Sequence, residues 1–290
     1  MNDFKEKSFK LITYIAALAS IMLLLGIIFS VFAEGIPLFK TIKIAEFLFG
    51  RDWYPTHGEA PQFGIWNLLI GSLLATFGAL VIAVPLGLGS AIFISEIAGS
   101  RLREIAKPVI ELLAAIPSVV YGLFGMAVLA PFVRTLFNVS TGLNLLSTSI
   151  ILGLMVVPII ASMSEDALST VPKQLREASL ALGATPWETI SKVVVPAARS
   201  GIVGSVLLGF GRAIGETMVV LMVAGGSAQI PRSIFDSLRP LTSTIAAEMG
   251  ETVVGDLHYR SLFAIAILLF IITFVTNMFT EIVILKRGKA

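Results

Sequence analysis

Two residues of opposite charge, Arg212 and Glu216, lie inside the stretch 201–226, which contains no other charged side chain. If this stretch is a membrane-spanning helix that starts at Gly201, Arg212 is roughly 16 Å along its axis, near the middle of the hydrocarbon. A cation at that depth costs about 2.5–3.5 kcal/mol on translocon scales, so the guanidinium must face protein or water. Glu216 follows one helical turn later on the same face, and the spacing predicts that the two side chains pair.

A guanidinium inside a span has two interpretations that the pair alone leaves equally open, a ligand site and a structural salt bridge. A guanidinium offers a planar fork of N–H donors that matches two oxygens of a tetrahedral anion, whereas a lysine offers only a point charge. If the position is a ligand site, Arg212 is the residue that would contact an anion, and Glu216 would offset its charge when the anion is absent. Gly211 and Gly215 remove side-chain bulk beside the pair, which leaves space for a ligand or for another helix. A purely structural salt bridge between two spans is the alternative.

A second informative stretch, residues 172–198, predicts two short helices around a glycine, and we refer to it as the hairpin. Gly183 supplies a left-handed residue that ends the first helix. Thr185 can cap the second helix, Pro186 suits its first position, and Glu188 completes a Thr-x-x-Glu capping box. These caps predict a rigid hairpin. The alternative is an ordinary interfacial hairpin that lies on the lipid headgroups.

The hairpin resembles the EAA motif of ABC importer permeases. The resemblance is carried by Glu177-Ala178, Gly183 and Pro196, although Ser179 stands where a second alanine is usual. It implies that the hairpin contains a coupling helix that docks on a separate ATPase subunit. The residues implied in coupling are Glu177, Ala178, Gly183, Ala184, Thr185, Pro186, Trp187 and Glu188.

The elements that hold Arg212, Glu216 and the hairpin are long segments with almost no charge. Such segments indicate that the chain lies in a bilayer. Of its 290 residues, 56% are apolar and 14% are charged, against about 45–50% and about 25% in soluble domains. A helical span needs about 20 residues. The predicted spans are 11–33, 67–95, 109–133, 147–164, 201–226 and 261–285. In the third span, Pro108 and Glu111 are predicted in the first turn and Pro117 is predicted as an internal kink.

The distribution of basic residues sets the predicted orientation. Most of the 21 Lys and Arg residues fall in the segments that share a side with the two termini. By the positive-inside rule, both termini and the hairpin are predicted to be cytoplasmic. The predicted organisation is a cytoplasmic N-terminus (1–10), a first span (11–33), a periplasmic loop (34–66), a core of five further spans that contains the hairpin (67–285), and a cytoplasmic tail (286–290).

Several blocks of the sequence are similar to the phosphate-specific importer permeases, most of all to the PstC-type member of a two-permease importer. These blocks are 101–108, 112–122, 209–218 with 223–226, and 241–251. The resemblance implies an all-α, polytopic integral membrane protein with six transmembrane helices and a fold like that of type I ABC importer permeases. It also implies that Arg212, Glu216 and Thr217 bind the substrate, inorganic phosphate.

The resemblance further implies partners and a location. The partners are a PstA-like sister permease in a heterodimer, two copies of an ATPase subunit, a periplasmic or lipid-anchored phosphate-binding protein, and membrane lipid. The location is the cytoplasmic membrane of a bacterium or archaeon. The chain has no Gly-x-x-x-x-Gly-Lys-Ser/Thr motif, so ATP and Mg²⁺ are expected on the partner ATPase. We expect no catalytic residue, metal or bound cofactor on this chain, and its net charge of +2 does not favour nucleic acid.

Three alternative functions stay open on the sequence. A secondary carrier or channel for an oxyanion would also use charge inside the membrane. An ABC permease for sulfate, molybdate or a phosphonate would share the spans and the hairpin. An integral-membrane enzyme is poorly supported, because the chain has no cysteine and its two histidines, His57 and His258, lie outside the predicted spans.

Overall fold

The computed structural model describes residues 2–56 and 60–285, and almost all regular structure in them is helical. The predicted all-α class is confirmed; a two-stranded ribbon is added to it. The helices are α1 (Asn2–Gly35), α2 (Ile44–Phe49), α3 (Trp66–Ile92), α4 (Ser100–Ala114), α5 (Ser118–Phe124), α6 (Ala130–Phe137), α7 (Leu145–Ser169), α8 (Lys173–Ala181), α9 (Pro186–Thr189), α10 (Val195–Ala197), α11 (Arg199–Ile214), α12 (Met218–Val223), α13 (Leu241–Glu248) and α14 (Leu257–Leu285), and the strands are β1 (Trp53–Tyr54) and β2 (Gln62–Phe63).

Several of these helices are joined by single tighter or wider turns. The turns with 3₁₀ geometry are Ile36–Lys40 and Met249–Glu251, and those with π geometry are Phe93–Ile97, Gly125–Leu129 and Ile190–Val194. The π turn between α5 and α6 keeps the two helices in one continuous segment. Helix α1 runs without a break through the predicted N-terminal segment (1–10) and the first span (11–33) from Asn2 onwards. The predicted tail, 286–290, lies outside the described residues.

Five helical segments in the described part of the chain are long and apolar enough to cross a bilayer. They are Ser8–Lys40, Trp66–Ile97, Ser118–Phe137, Leu145–Ser169 and Leu257–Ile282. A sixth qualifies only when Pro186–Ala197 is joined to Arg199–Ile214 across a bend of 69°. Helix α11 alone is about 24 Å long, short of the roughly 30 Å of a bilayer core, and α12 adds about 9 Å after a break. The predicted fifth span is therefore interrupted, and the interruption follows Arg212 closely.

The predicted third span, 109–133, is wrong at both ends. The chain forms a separate helix, α4, and the apolar segment that follows runs from Ser118 to Phe137. Pro117 does not kink a helix: α4 ends at Ala114, and Pro117 immediately precedes α5. A proline disfavours helical geometry at the residue before it, so the chain leaves the helix ahead of Pro117. Pro108 lies in the interior of α4 rather than in its first turn, and Glu111 lies near its end.

The central packing contact joins α3 to α7. Buried alanines recur every four residues along α3, at Ala75, Ala79 and Ala83. This spacing puts small side chains on one face, so that the backbone of α7 can approach closely. Gly87 continues the row, and a Cβ atom placed on it would lie 2.8 Å from Ile160 Cγ2 of α7. The close contact between α3 and α7 therefore depends on small residues.

A second apolar cluster lies at the end of the spans away from the hairpin. The ribbon, in which Trp53 pairs with Phe63, packs there against α13 and α14. Glu248 of α13 accepts hydrogen bonds from Trp53 Nε1 (3.0 Å) and Arg239 Nη1 (2.6 Å), and lies 2.8 Å from His258 Nε2. These contacts tie the first long loop to the last two helices. The other histidine of the chain, His57, lies outside the described residues.

Candidate functional site

Arg212 lies in the last turn of α11 and points away from the packed side of that helix. The buried residues of α11 include Gly204, Gly209 and Ala213, which face the other spans. A Cβ atom on Gly209 would lie 3.0 Å from both Val156 and Ile160 of α7. The side chain of Arg212 is exposed on this chain and forms no hydrogen bond or ion pair with any other described residue.

The predicted ion pair between Arg212 and Glu216 is wrong, because the helix ends between them. Helix α11 stops at Ile214, and Gly215 closes its last turn by donating its N–H to Gly211. The two residues are therefore not on one helical face. Glu216 is 6% exposed, while Arg212 is exposed, and no ion pair within 4.0 Å joins them among the contacts of the described residues.

Glu216 instead caps the next helix. Its Oε1 accepts the backbone N–H groups of Met218 (3.1 Å) and Val219 (3.3 Å), which are free donors at the start of α12. The main-chain carbonyl of Glu216 accepts the hydroxyl of Thr242 at 2.7 Å. Thr217 is half-buried between Glu216 and α12. The carboxylate is thus engaged by backbone amides, and the positive charge of Arg212 is left without a carboxylate partner in the described chain.

One polar neighbour of this break was missed by the sequence reasoning. Asn277 of α14 lies beside the turn that carries Arg212, since a Cβ atom placed on Gly211 would be 3.9 Å from Asn277 Oδ1. The sequence feature that could have pointed to Asn277 is the presence of an amide side chain within the long apolar stretch 261–285. The structure brings Gly211, Arg212 and Asn277 to one level of the fold, with Glu216 and Thr217 just beyond the helix break.

The hairpin has the caps that the sequence predicts. Gly183 has φ +86°, the left-handed geometry expected between the two helices. Thr185 Oγ1 accepts the backbone N–H of Glu188 at 3.2 Å, and Glu188 Oε2 accepts the backbone N–H of Thr185 at 3.0 Å. Pro186 occupies the first turn of α9, as predicted. The capping box is therefore confirmed.

The tip of the hairpin is solvent-exposed, while its two arms contact each other. Leu182 is 89% exposed and Trp187 is 64% exposed. The hydroxyls of Ser179 and Thr189 are 2.9 Å apart and join the arms. The other residues implied in coupling, Glu177, Ala178 and Ala184, lie on the same open surface or are half-buried beside it. The arrangement is a capped tip with two large apolar side chains exposed.

Three ion pairs near the base of the hairpin, made by two basic residues, were not predicted. Arg176 of α8 binds Glu96, which lies in the π turn after α3, and this hydrogen bonding raises the pKa of Arg176. Lys107 of α4 binds Glu165 (2.8 Å) and Asp166 (2.6 Å) near the end of α7. Each basic residue lies 58 to 80 positions from its carboxylate in sequence, so no local spacing could reveal these ion pairs.

Comparison with protein families gives a match over residues 83–287 to the binding-protein-dependent transport system inner membrane component. Among curated proteins, the chain is 40% identical to a probable ABC transporter permease protein, YqgH, of Bacillus subtilis, over 90% of this chain and 82% of that one. It is 38% identical to the phosphate transport system permease protein PstC of Mesorhizobium japonicum (90% and 84%) and 36% identical to PstC of Haemophilus influenzae (98% and 94%).

Solved structures agree in fold. A chain of a bacterial alginate ABC transporter, crystallised with its pentasaccharide-bound periplasmic protein, matches with a TM-score of 0.57 at 15% identity, over 91% of this chain and 92% of that one. A chain of the MetNI methionine ABC transporter in an inward-facing conformation matches with a TM-score of 0.55 at 23% identity, over 76% and 94%. At these identities the likeness concerns the fold alone.

The spans, the interrupted helix and the exposed hairpin define a multi-span membrane permease of the type I ABC importer fold. The chain belongs to the family of binding-protein-dependent transport system inner membrane components. By family it is a transport subunit rather than an enzyme.

Proposed function

We propose that this chain is the permease subunit of an ATP-driven importer for inorganic phosphate, which receives the anion from a binding protein and passes it to the cytoplasm. Two PstC proteins share 36–38% of their residues with it over at least 90% of its length. This similarity supports phosphate over sulfate, molybdate or a phosphonate as the cargo.

The observation that carries the proposal is the position of Arg212 at a helix break inside a membrane span. Its guanidinium is exposed on this chain, and the nearby carboxylate of Glu216 is occupied by the amides of α12. A cation held in this way attracts an anion strongly, because hydrocarbon screens charge poorly. A phosphate oxygen pair fits the guanidinium fork. Arg212 is therefore the proposed substrate contact, and Glu216 and Thr217 shape the break beside it.

The partners follow from the same proposal. A PstA-like sister permease covers the open side of this chain as a heterodimer, and two ATPase subunits bind ATP and Mg²⁺. One ATPase subunit receives the hairpin tip, including Trp187. Both termini and the hairpin face the cytoplasm, and the loop 34–66 faces a periplasmic or lipid-anchored phosphate-binding protein. Basic residues on the hairpin side support this orientation through the positive-inside rule.

The test is substitution of Arg212 by lysine in the complete transporter, reconstituted in vesicles with its binding protein. Lysine keeps the charge but loses the fork, and one charge-assisted hydrogen bond is worth about 1.5–3 kcal/mol, so uptake should fall roughly 10- to 150-fold. Arg199→Lys, the same change at the other end of α11, is the matched control and should transport normally. Near-normal uptake by Arg212→Lys would show that Arg212 is not the phosphate contact.

A secondary carrier for an oxyanion makes a different prediction in the same vesicles. A carrier would move phosphate without the ATPase and without ATP, whereas the proposed importer needs both. Competition with sulfate, molybdate and phosphonates in the ATP-dependent assay identifies the cargo. Uptake that persists in the absence of ATP would replace the importer with a carrier.

A further inference from the structure

The hairpin is free at its tip but firmly attached to the spans at its base. Val194 and Ala198, at the end of the second arm, are buried with Leu168 and Val171 of the preceding segment and with Ala91 of α3. The first arm, α8, has no buried residue. Its attachment to the spans therefore depends on polar contacts, and Arg176 makes the main ones.

Arg176 joins three elements with one side chain. Its Nε and Nη2 donate to the two carboxylate oxygens of Glu96, at 3.0 and 2.7 Å, in a parallel fork. Its Nη2 also donates to the carbonyl of Leu168 (3.0 Å), and its Nη1 donates to the carbonyl of Val171. Leu168 belongs to the last turn of α7, and Glu96 belongs to the π turn that continues α3. Helix α8 is thus attached to the ends of both central spans.

The burial of this pair separates it from the surface ion pairs of the chain. The side chains of Arg176 and Glu96 are 22% and 8% exposed, whereas those of Lys192 and Glu188, elsewhere in the hairpin, are 72% and 42% exposed. Exposed pairs contribute little because water screens them and the side chains lose entropy. A partly buried fork in which both carboxylate oxygens are bonded fixes distance and orientation together, because its two hydrogen bonds are parallel.

We propose that Glu96 and Arg176 form the joint through which movement of the hairpin is transmitted to α3 and α7. They act as positioning residues that couple ATP hydrolysis by the partner to the spans, and neither residue touches phosphate. This inference rests on the proposed function. Because α3 and α7 pack along each other, a force applied at α8 moves them as one body, and α11, which packs against both, moves with them.

The experiment measures ATP hydrolysis and phosphate uptake in the same vesicles, with the fully assembled transporter. Glu96→Gln keeps the size of the side chain but weakens the two parallel hydrogen bonds. Arg176→Lys keeps the positive charge but cannot form both hydrogen bonds of the fork. Both variants should co-purify with the ATPase and hydrolyse ATP, while phosphate moved per ATP falls roughly 10- to 150-fold, the factor that corresponds to loss of one charge-assisted hydrogen bond. Lys173→Gln, a basic residue of α8 without a side-chain partner among the described contacts, is the matched control and should keep the wild-type ratio.

A covalent rescue separates a joint from a merely structural contact. The chain has no cysteine, so Glu96→Cys with Arg176→Cys can be bridged specifically by a short bifunctional maleimide. The unbridged double variant should be uncoupled, and bridging should restore much of the phosphate moved per ATP. No recovery on bridging, or wild-type ratios in the single variants, would overturn the inference, as would loss of assembly in both single variants. If the unaltered transporter shows no ATP-dependent phosphate uptake, the proposed function fails, and the inference fails with it.

Discussion

The role of Glu216 gives the sharpest test of the geometry at the helix break. If Glu216 is a cap, the important property is an oxygen that accepts the N–H groups of Met218 and Val219. Glu216→Gln keeps such an oxygen, whereas Glu216→Ala removes it. If Glu216 instead neutralises Arg212, the important property is the negative charge, and glutamine and alanine should behave alike.

The magnitude follows from the burial of the donors. Val219 is 0% exposed and Glu216 is 6% exposed, so alanine leaves at least one buried N–H without an acceptor. An unsatisfied buried donor costs about 1–3 kcal/mol, and the lost cap lies in the same range. Glutamine loses only the charge-assisted part of the bonds, roughly 1 kcal/mol. We therefore expect a clear loss of thermal stability for Glu216→Ala and a small one for Glu216→Gln.

The assay pairs the apparent melting temperature of the purified transporter with phosphate uptake in vesicles. A cap predicts that uptake follows stability, with Glu216→Gln close to wild type and Glu216→Ala impaired. Glu46→Ala, which removes a carboxylate from helix α2, far from the break in sequence, controls for loss of an acidic residue. Equal loss of uptake in the glutamine and alanine variants, with unchanged melting temperatures, would refute the capping role and restore charge neutralisation.

Two further predictions concern glycines. Gly183→Val places a branched side chain at φ +86°, which costs about 1–2 kcal/mol and should displace the hairpin tip. The phosphate moved per ATP should therefore fall in the assembled transporter. Asparagine tolerates this backbone geometry, so the fall should be smaller for Gly183→Asn. Equal ratios for valine and asparagine would contradict this. Gly87→Ala should lower the melting temperature, because its Cβ would lie 2.8 Å from Ile160 Cγ2, and overpacking costs about 1–3 kcal/mol. A Cβ atom on Gly89, two residues later, would have no atom within 4 Å, so Gly89→Ala should leave the melting temperature unchanged. Identical melting temperatures for the two alanine variants would show that α3 and α7 adjust freely.

The agreement between sequence and structure is best where the determinants are local. The capping box of Thr185 and Glu188 needs only a spacing of three residues, and Gly183 needs only its own backbone freedom. The apolar stretches were likewise visible from composition. The third span was misplaced because the apolar run continues across Pro117, and composition alone does not indicate on which side of a proline a span begins.

The sequence by itself determined that this chain spans a membrane with helices, that a capped hairpin lies between two of the spans, and that a cation sits inside a span. Apolar length, capping chemistry and the cost of a buried charge are all properties of short segments. Only the tertiary structure decided that Glu216 serves α12 rather than Arg212, and that Arg176 binds Glu96 across 80 positions. Such choices depend on which backbone donors and distant carboxylates the packing of the helices brings within hydrogen-bond distance.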